Sequence, residues 1–278
     1  MKVSSQSEPS AIKLIQITDT HLFAAEDGSL LSVNTADSFS AVVAAIVEEQ
    51  VEFDALVATG DISQDHTPES YQRFVRTVAP LQTTQAQPKV CYWLPGNHDY
   101  PPSMHSVLPS EQIQAIEHVL LGEHWQMVLL DSQVSGAPHG CLSPAQLQLL
   151  DDQLSQHPQR HSLVLLHHHP LLVGSAWLDQ HALKQSEDLW AVVAKHRNVR
   201  ALLCGHVHQE MDRMHLGARV MATPSTCVQF KPNSQNFALD NCSPGWRELT
   251  LHADGQISSQ VKRLKHGRFL PDFTSNGY

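Results

Sequence analysis

Short apolar runs alternate along most of the chain with segments whose apolar residues recur at helical spacing. The runs are rich in β-branched and aromatic residues and predict strands over residues 12–17, 55–58, 90–94, 125–130, 163–166 and 199–204. The other segments predict helices over residues 34–50, 67–78, 110–121 and 143–154. Asn34 or Thr35 is expected to cap the first helix, Pro68 to lie in the first turn of the second, and Ser143 to cap the fourth. This order favours parallel strands joined by right-handed crossovers.

After residue 208 the pattern changes from helical spacing to alternation. Strands are expected over residues 211–216, 219–222, 246–252 and 257–264, with turns at Gly217 and at residues 253–255. These strands predict a second, more antiparallel sheet packed on the first. We expect residues 12–278 to form a single α/β domain that is mainly β from about residue 209. Residues 1–11 are expected to be a flexible leader, because they are mostly polar and lack the apolar segment of a secretory signal.

Composition narrows the class of protein and partner. Apolar residues make up 41% of the 278 residues, which is enough for a core and too many for a disordered chain. A net charge of −10 argues against nucleic acid as a partner, and no run of 18 apolar residues predicts a membrane span. The five cysteines are odd in number and lack close spacing, which favours a cytoplasmic protein without a disulfide framework or thiolate zinc site.

Five of the predicted strands are followed by polar side chains. The segments are Thr18-Asp19-Thr20-His21, Thr59-Gly60-Asp61, Gly96-Asn97-His98-Asp99, His167-His168-His169 and Gly205-His206-Val207-His208. In open α/β sheets ligands bind beyond the carboxyl ends of the strands, so donors from separate strands can converge on one small volume. Carboxylates, imidazoles and carboxamides suit divalent transition metals. Two such ions roughly 3.5–4 Å apart stabilise both the attacking and the leaving oxygen in phosphoryl transfer.

In this order, the motifs D-x-H, G-D, G-N-H-D, H and G-H-x-H resemble those of the calcineurin-like metallophosphoesterase superfamily, over residues 19–208. The resemblance implies a four-layer α/β/β/α sandwich of two mixed β-sheets flanked by helices. It implies two metal ions, iron and/or manganese, with zinc also compatible. The implied ligands are Asp19, His21 and His208 on one ion, Asn97, His167 and His206 on the other, and Asp61 bridging both. The residues implied to contact the substrate are His21, Asp61, Asn97, His98 and His208.

Two assignments stay open at this point. His167 directly follows the apolar run and matches the family's single histidine, whereas His168 and His169 are candidates for lining the pocket. The resemblance gives His98 the role of supplying a proton to the leaving oxygen. Many relatives place an aspartate three residues after the bridging one to orient this histidine. Here that position is Gln64, followed by Asp65, so the group that orients His98 is not identified.

Each of these residues also has a structural alternative, such as a cap for Asn97, a turn for Asp61 or a satisfied structural role for a histidine. The ordered set of five motifs favours the site over these alternatives. Its chemistry is common to phosphomonoesterases, phosphodiesterases and nucleases, so the substrate must be inferred from another part of the chain.

The segment 222–247 and the ending 269–278 are similar to bacterial class III cyclic nucleotide phosphodiesterases. Residues 222–247 are therefore the predicted substrate-specificity loop, whose hydroxyls, carboxamide and aromatic rings are expected to hold a ribose and a purine. The implied reaction is hydrolysis of 3',5'-cyclic AMP to 5'-AMP by a bridging hydroxide. The alternatives are a broader phosphodiesterase acting on glycerophosphodiesters or 2',3'-cyclic nucleotides, and a non-catalytic scaffold of the same fold.

Overall fold

The computed structural model describes residues 11–83, 87–275 and 277, so the predicted leader lies outside the described residues except for Ala11. Six helices are described: α1 (Thr35–Glu48), α2 (Pro68–Thr83), α3 (Pro101–Val107), α4 (Pro144–Gln156), α5 (Ala176–Asp179) and α6 (Ser186–Val193). The strands of the described residues are β1 (Ile12–Ile17), β2 (Ser29–Leu30), β3 (Val33–Asn34), β4 (Ala55–Ala58), β5 (Val90–Trp93), β6 (Ile113–Ala115), β7 (His118–Leu121), β8 (Trp125–Leu129), β9 (Gly140–Cys141), β10 (His161–Leu165), β11 (Leu183–Lys184), β12 (Val199–Cys204), β13 (Met211–His215), β14 (Ala218–Ala222), β15 (Gly245–Leu251) and β16 (Ile257–Arg263).

Two six-stranded sheets form the centre of the fold. The first has the order β16-β15-β1-β4-β5-β6 and the second has the order β13-β14-β12-β10-β8-β7. In the first sheet the pairs β1–β4, β4–β5 and β5–β6 are parallel. In the second sheet the pairs β14–β12, β12–β10 and β10–β8 are parallel. The remaining strands of both sheets pair antiparallel, so each sheet is mixed.

Side chains alternate between two faces along each central strand, which produces three apolar layers. The inner layer lies between the sheets and includes Leu14, Val57, Leu163 and Leu203. The residues next to them in sequence belong to the outer layers: Ile15 and Leu56 pack with side chains of α1 and α2, and Val164 and Leu202 pack with those of α4 and α6. The predicted α/β/β/α sandwich of two mixed sheets is therefore confirmed.

The helices start where their sequences predict. The Asn34 side chain caps α1 by accepting a 2.9 Å hydrogen bond from the Asp37 amide, which selects Asn34 over Thr35. Ser143 caps α4 in the same way through the Gln146 amide, and Pro68 is the first residue of α2. No helix among residues 11–83 and 87–275 combines the length and the hydropathy needed to cross a bilayer.

Two predictions about the elements are wrong. Residues 110–121 contain β6 and β7 rather than a helix, because this segment leaves the edge of the first sheet and joins the edge of the second. Its apolar residues have helical spacing only because the two short strands bury different positions. The strands after residue 208 do not form a sheet of their own. Instead β13 and β14 extend the second sheet, and β15 and β16 extend the first.

Candidate metal centre

The five polar segments meet at the carboxyl ends of β1, β4, β5, β10 and β12. The loop after β1 is hydrogen-bonded to the loop after β4, since the Asp19 amide donates to the Gly60 carbonyl at 3.0 Å and the His21 amide to the Asp61 carbonyl at 2.9 Å. Five of the seven predicted ligands have a positive φ: Asp19 (55°), His21 (46°), Asp61 (49°), His206 (67°) and His208 (47°). Left-handed backbone is uncommon outside glycine and clusters at functional sites, and here it turns the side chains inward at the strand ends.

Glycine allows the loops to approach each other. A Cβ atom on Gly96 would collide with the Asp61 carboxylate, and one on Gly60 would lie 2.5 Å from His167 Nδ1. Gly60 also has a φ of +94°, which other residues rarely adopt. These two glycines therefore bring the bridging carboxylate close to the segments that carry Asn97 and His167.

The first group of predicted ligands forms what we call the enclosed half-site, namely Asp19, His21 and His208. All three are buried, and one ligand atom from each lies within 4.8 Å of the others. His21 Nδ1 donates to Gln64 Oε1 at 2.7 Å and His208 Nδ1 donates to the Val228 carbonyl at 2.9 Å. Each neutral ring therefore directs the lone pair of its Nε2 into the site.

These two Nε2 atoms lie 3.2 Å apart. Two nitrogen lone pairs at that separation repel each other unless a cation or proton lies between them. Burial lowers the pKa of His21 to about 3, so a second proton, on Nε2, is not expected near neutral pH. His208 Nε2 is also 3.3 Å from Asp19 Oδ1, which adds an anionic oxygen to the same volume. The residues of the enclosed half-site thus fit a divalent cation.

The other predicted ligands form the open half-site, Asn97, His167 and His206. His167 Nδ1 donates to the Thr59 carbonyl at 2.7 Å, and its Nε2 is 3.2 Å from Asn97 Oδ1. Among the described residues His206 Nε2 is buried and has no hydrogen-bond partner. A buried imidazole nitrogen without a partner costs free energy, which metal coordination would offset. His206 and Asn97 also line a cavity of about 480 Å³.

Asp61 lies between the two half-sites. Its Oδ2 is 3.2 Å from His167 Nε2 and 3.9 Å from His21 Nε2, and its Oδ1 accepts a 2.8 Å hydrogen bond from the His98 amide. Burial would raise the pKa of Asp61, but the charges of His167 and His98 hold it well below its usual range. Burial likewise opposes ionisation of His167, yet the charge of Asp61 raises the pKa of His167 to about 9. This pair attracts a positive charge, either a proton or a metal ion.

His168 and His169 are also part of this cluster. His168 can approach His167 and His206 with one ring nitrogen, but its Nδ1 is 2.8 Å from Ser132 Oγ. The His169 ring stacks on the His206 ring with centroids 5.5 Å apart, and its Nε2 lies 3.5 Å from an oxygen of Asp179. Both residues are fully buried and neither lines the cavity, so the expectation that they line the pocket is wrong.

Gln64 and Asp65, the residues considered for orienting His98, both have other hydrogen-bond partners. Gln64 orients His21 by accepting a 2.7 Å hydrogen bond from His21 Nδ1. Asp65 accepts hydrogen bonds from the Ala24 amide at 2.6 Å and from Thr67, and so serves as a turn residue. The His98 ring contacts the His21 ring edge-on at 5.1 Å, while its backbone is fixed by Asp61.

Asp99 has a role that sequence reasoning missed. Its buried carboxyl accepts hydrogen bonds from the amides of Ile62, Ser63 and Gly96 at 2.9–3.0 Å and from the Tyr71 hydroxyl at 3.1 Å. Burial and the nearby charge of Asp61 raise the pKa of Asp99 to about 7. Asp99 thus ties the loop of the bridging aspartate to the loop of Asn97. Its place at the end of the G-N-H-D motif was the only signal in the sequence.

The cavity of about 480 Å³ opens from the open half-site. It is lined by His66, Asn97, His98, Gly136, Ala137, Pro138, Trp177, Leu178, His181, His206, Phe237 and Gly277. Phe237 is the one residue of the predicted specificity loop on this list. Three polar side chains of that loop are hydrogen-bonded within the protein, whereas Thr226 Oγ1 is buried without a partner among the described residues. Thr223 is bonded to Gln16 and Arg247, Ser225 donates to the Asp19 carbonyl, and Gln229 donates to the Ser225 carbonyl.

That the loop 222–247 holds the substrate stays a prediction, and Phe237 is the described loop residue that lines this cavity. The hydrogen-bonded side chains of the loop support the backbone that carries Asp19 and the strand ends. The wall contributed by Trp177 and by residues 136–138 was missed, since these residues lie outside every motif and their sequence neighbourhood shows no metal-ligand pattern.

Comparisons with known proteins agree with this geometry. Residues 12–210 match the family model described as calcineurin-like phosphoesterase. The chain is 63% identical to the 3',5'-cyclic adenosine monophosphate phosphodiesterase CpdA of Vibrio vulnificus, over 96% of this chain and 96% of that protein. It is 51% identical to the protein of the same name from Escherichia coli strain K12, over 96% of this chain and 95% of that protein.

Among solved structures, a dimetal phosphatase from Danio rerio has a similar fold. The TM-score is 0.61 at 18% sequence identity, and the match covers 91% of this chain and 98% of the other. The family match extends over more than half of the chain and includes every loop that contributes to the two half-sites. The chain belongs to the calcineurin-like phosphoesterase family.

Proposed function

We propose that this protein hydrolyses 3',5'-cyclic AMP to 5'-AMP at a centre of two metal ions. The name of the relatives from V. vulnificus and E. coli supports the substrate, because the similarity extends over nearly the full length of both chains. The observation that carries the proposal is the pair of facing Nε2 atoms of His21 and His208, 3.2 Å apart beside two carboxylates. Such an arrangement of buried donors serves no purpose in packing and suits a cation.

In this proposal Asp19, His21 and His208 would hold one ion, Asn97, His167 and His206 would hold the other, and Asp61 would contribute to both. Iron or manganese is the expected metal, and zinc is compatible with the same donors. When bound, the ions supply Lewis acidity to a phosphoryl oxygen and make water a stronger nucleophile. The low pKa of Asp61 keeps its carboxylate ionised and available to both half-sites.

His167 is the proposed ligand among the three consecutive histidines. Its Nδ1 is committed to the Thr59 carbonyl, so its Nε2 lone pair points at Asp61 and Asn97, each 3.2 Å away. His168 instead uses Nδ1 on Ser132 and belongs to a group that does not include Asp61. We assign His168 to supporting the rings of His167 and His206, which it contacts at 4.9 and 4.8 Å between centroids.

His98 is the proposed general acid. Its ring lines the cavity next to Asn97, and its amide is held by the bridging carboxylate. As water adds to phosphorus and the bond from phosphorus to the 3' oxygen breaks, His98 gives its proton to that oxygen. The product is 5'-AMP, with its phosphate still at the metal centre. His21, Asp61, Asn97 and His208 would contact the phosphate from the metal side.

The direct test is a substrate panel with the purified protein loaded with manganese or iron. Products of 3',5'-cyclic AMP, 2',3'-cyclic AMP and a glycerophosphodiester are separated by chromatography, and kcat/KM is compared. We expect conversion of 3',5'-cyclic AMP to 5'-AMP with the highest kcat/KM of the three. No turnover with either metal would contradict the proposal, and a higher kcat/KM for another diester would replace it with the broader phosphodiesterase.

The role of His98 is tested by His98→Ala, with the exposed His266→Ala as the matched control. Loss of general acid catalysis is expected to lower kcat by about 10²–10⁴-fold while the metal content stays unchanged. A leaving group that needs no proton, as in a p-nitrophenyl phosphodiester, should be much less affected. Full activity of His98→Ala on cyclic AMP would remove this assignment and leave the metal centre standing.

A further inference from the structure

The two ends of the 480 Å³ cavity have different chemistry. One end contains Asn97, His98 and His206 and adjoins the metal centre. The other end contains the aromatic rings of Trp177 and Phe237. Its volume lies within the range of about 300–1,000 Å³ that is typical of small-molecule sites. None of the described lining residues is an aspartate, glutamate, lysine or arginine, so this wall suits an uncharged ring.

Trp177 is held firmly by other aromatic rings. It lies on α5 and contacts Phe237 with centroids 5.0 Å apart at 69° and Phe230 with centroids 5.1 Å apart at 82°. Phe230 in turn stacks on the His208 ring at 4.2 Å and 11°. The aromatic wall and the enclosed half-site are therefore parts of one packed cluster, which fixes the distance between the wall and the metal centre.

The Trp177 indole also has an unused donor. Its Nε1 atom is buried and has no hydrogen-bond partner among the described residues. Buried tryptophan N–H groups usually find an acceptor, and leaving one without a partner costs free energy. The part of Trp177 that lines the cavity is available for ring contacts, and a ligand with a flat apolar face fits this wall.

We propose that the aromatic rings of Trp177 and Phe237, which line one end of the cavity, form the subsite for the purine base of the substrate. This inference rests on the proposed function, since it assumes that the phosphodiester lies at the metal centre. Stacking between a base and an aromatic side chain is tolerant of base identity, because every base has a π face. The subsite therefore favours a substrate that has a base, and a large base in particular. It is expected to discriminate little between adenine and guanine.

The test compares cyclic AMP with ribose 3',5'-cyclic phosphate, which has the same reacting bond and no base. Trp177→Ala is expected to lower kcat/KM for cyclic AMP by about 5–150-fold, mainly through KM, the range measured for base–aromatic stacking. The kcat/KM for the base-free substrate should stay within about twofold, which also shows that the variant is folded and loaded with metal. Trp177→Phe keeps the stacking and loses the N–H, so its loss should be smaller. Met214→Ala on β13, which removes a side chain that is 67% exposed, is the matched control.

Product inhibition gives a second readout. Trp177→Ala and Phe237→Leu should raise the inhibition constant of 5'-AMP and leave that of ribose 5-phosphate unchanged. Equal losses on both substrates, or no loss on either, would overturn the subsite while cyclic AMP turnover by the unsubstituted protein still supports the proposed function. If that protein instead hydrolyses the base-free substrate and not cyclic AMP, both the subsite and the proposed function are wrong.

Discussion

The enclosed and the open half-sites use the same kinds of donor but hold them differently. In the enclosed half-site, His21 and His208 are fixed through Nδ1 by Gln64 and by the Val228 carbonyl. In the open half-site, His167 is fixed by the Thr59 carbonyl, whereas His206 Nε2 has no partner among the described residues. The enclosed donors are shielded from solvent, and Asn97 and His206 border the cavity.

This difference predicts that the two half-sites bind metal with different affinity. Outer hydrogen bonds orient a metal-binding imidazole and are usually needed for tight binding. We therefore expect the enclosed half-site to bind its ion more tightly than the open half-site, whose ion would face the substrate. Asp61 belongs to both, which gives it the largest expected effect when it is changed.

Asp61→Asn should weaken metal binding at both half-sites. An amide has one acceptor oxygen and no charge, so it cannot bridge two cations. We expect both ions to be lost on desalting and kcat/KM to fall on the order of 10⁴-fold or more. Metal analysis and cyclic AMP turnover check this, with Asp65→Asn as a control on the neighbouring turn. Retention of one equivalent of metal would show that the half-sites are more independent than the structure indicates.

His208→Ala and His206→Ala test the comparison directly in the metal-free protein. His208→Ala removes the stack on Phe230 and leaves the Val228 carbonyl without its donor, so unfolding should become easier by about 2–4 kcal/mol. His206→Ala leaves no hydrogen-bond partner unsatisfied but removes a ring that His168 and His169 contact, so the loss should be smaller than for His208→Ala, about 1–2 kcal/mol. Urea unfolding in the presence of a chelator measures both. Equal losses would mean that the open half-site is as tightly packed as the enclosed one.

The sequence predicted the fold best where a pattern has one physical cause. Buried parallel strands, such as residues 55–58, need continuous apolar runs, and capped helices such as α4 carry their own start signals. The prediction for residues 110–121 was wrong because β6 and β7 are each too short to show the two-residue period of a strand. Taken together, their apolar residues have a spacing typical of a helix. The pairing of the strands after residue 208 depends on which exposed sheet edge each one meets, and alternation within a strand does not encode that choice. That residues 12–278 form one domain stays a prediction.

The candidate site was also predicted only in part from the sequence. The six residues of the two half-sites and Asp61 were found because each lies in a segment that follows an apolar run, and the structure brings all seven together. Their roles as ligands stay a prediction. Trp177 and Asp99 act through contacts with distant segments, and such contacts leave no local pattern. The sequence assigned no role to Gln64 for the same reason, because its partner His21 lies 43 positions away.

Gln64→Ala should weaken the enclosed half-site selectively. Without Gln64 the His21 ring loses the acceptor that directs its Nε2 to the site. Loss of such an outer partner is expected to reduce affinity for one of the two ions by about 10–100-fold. Competition with a chelator measures this without any activity assay. Gln114→Ala, whose side chain bonds only to the Glu111 carbonyl in an exposed segment, is the control. Weaker binding of both ions would mean that Gln64 supports the whole centre.

The half-sites should also differ in how pH affects the metal-free protein. Burial disfavours a charged His167, but Asp61 outweighs it and raises the pKa of His167 from 6.5 to about 9. A pKa raised on folding means that the bound proton stabilises the fold fully below pH 6.5, and that this stabilisation is lost as pH rises toward 9. The pKa of His21 is lowered by burial to about 3, so His21 Nε2, which faces the enclosed half-site, carries no proton in this range.

A metal ion entering the open half-site must therefore displace the proton on His167 Nε2, whereas no proton has to leave His21. We expect affinity for one ion to rise by roughly tenfold per pH unit between pH 7 and 9, the limit for release of one proton. Titration calorimetry with Mn²⁺ in two buffers of different ionisation enthalpy counts the protons released by each ion. His167→Gln should remove the release, because glutamine has no proton to give up near neutral pH. Release of a proton by both ions, or by neither, would show that the two half-sites do not differ in charge before metal binds.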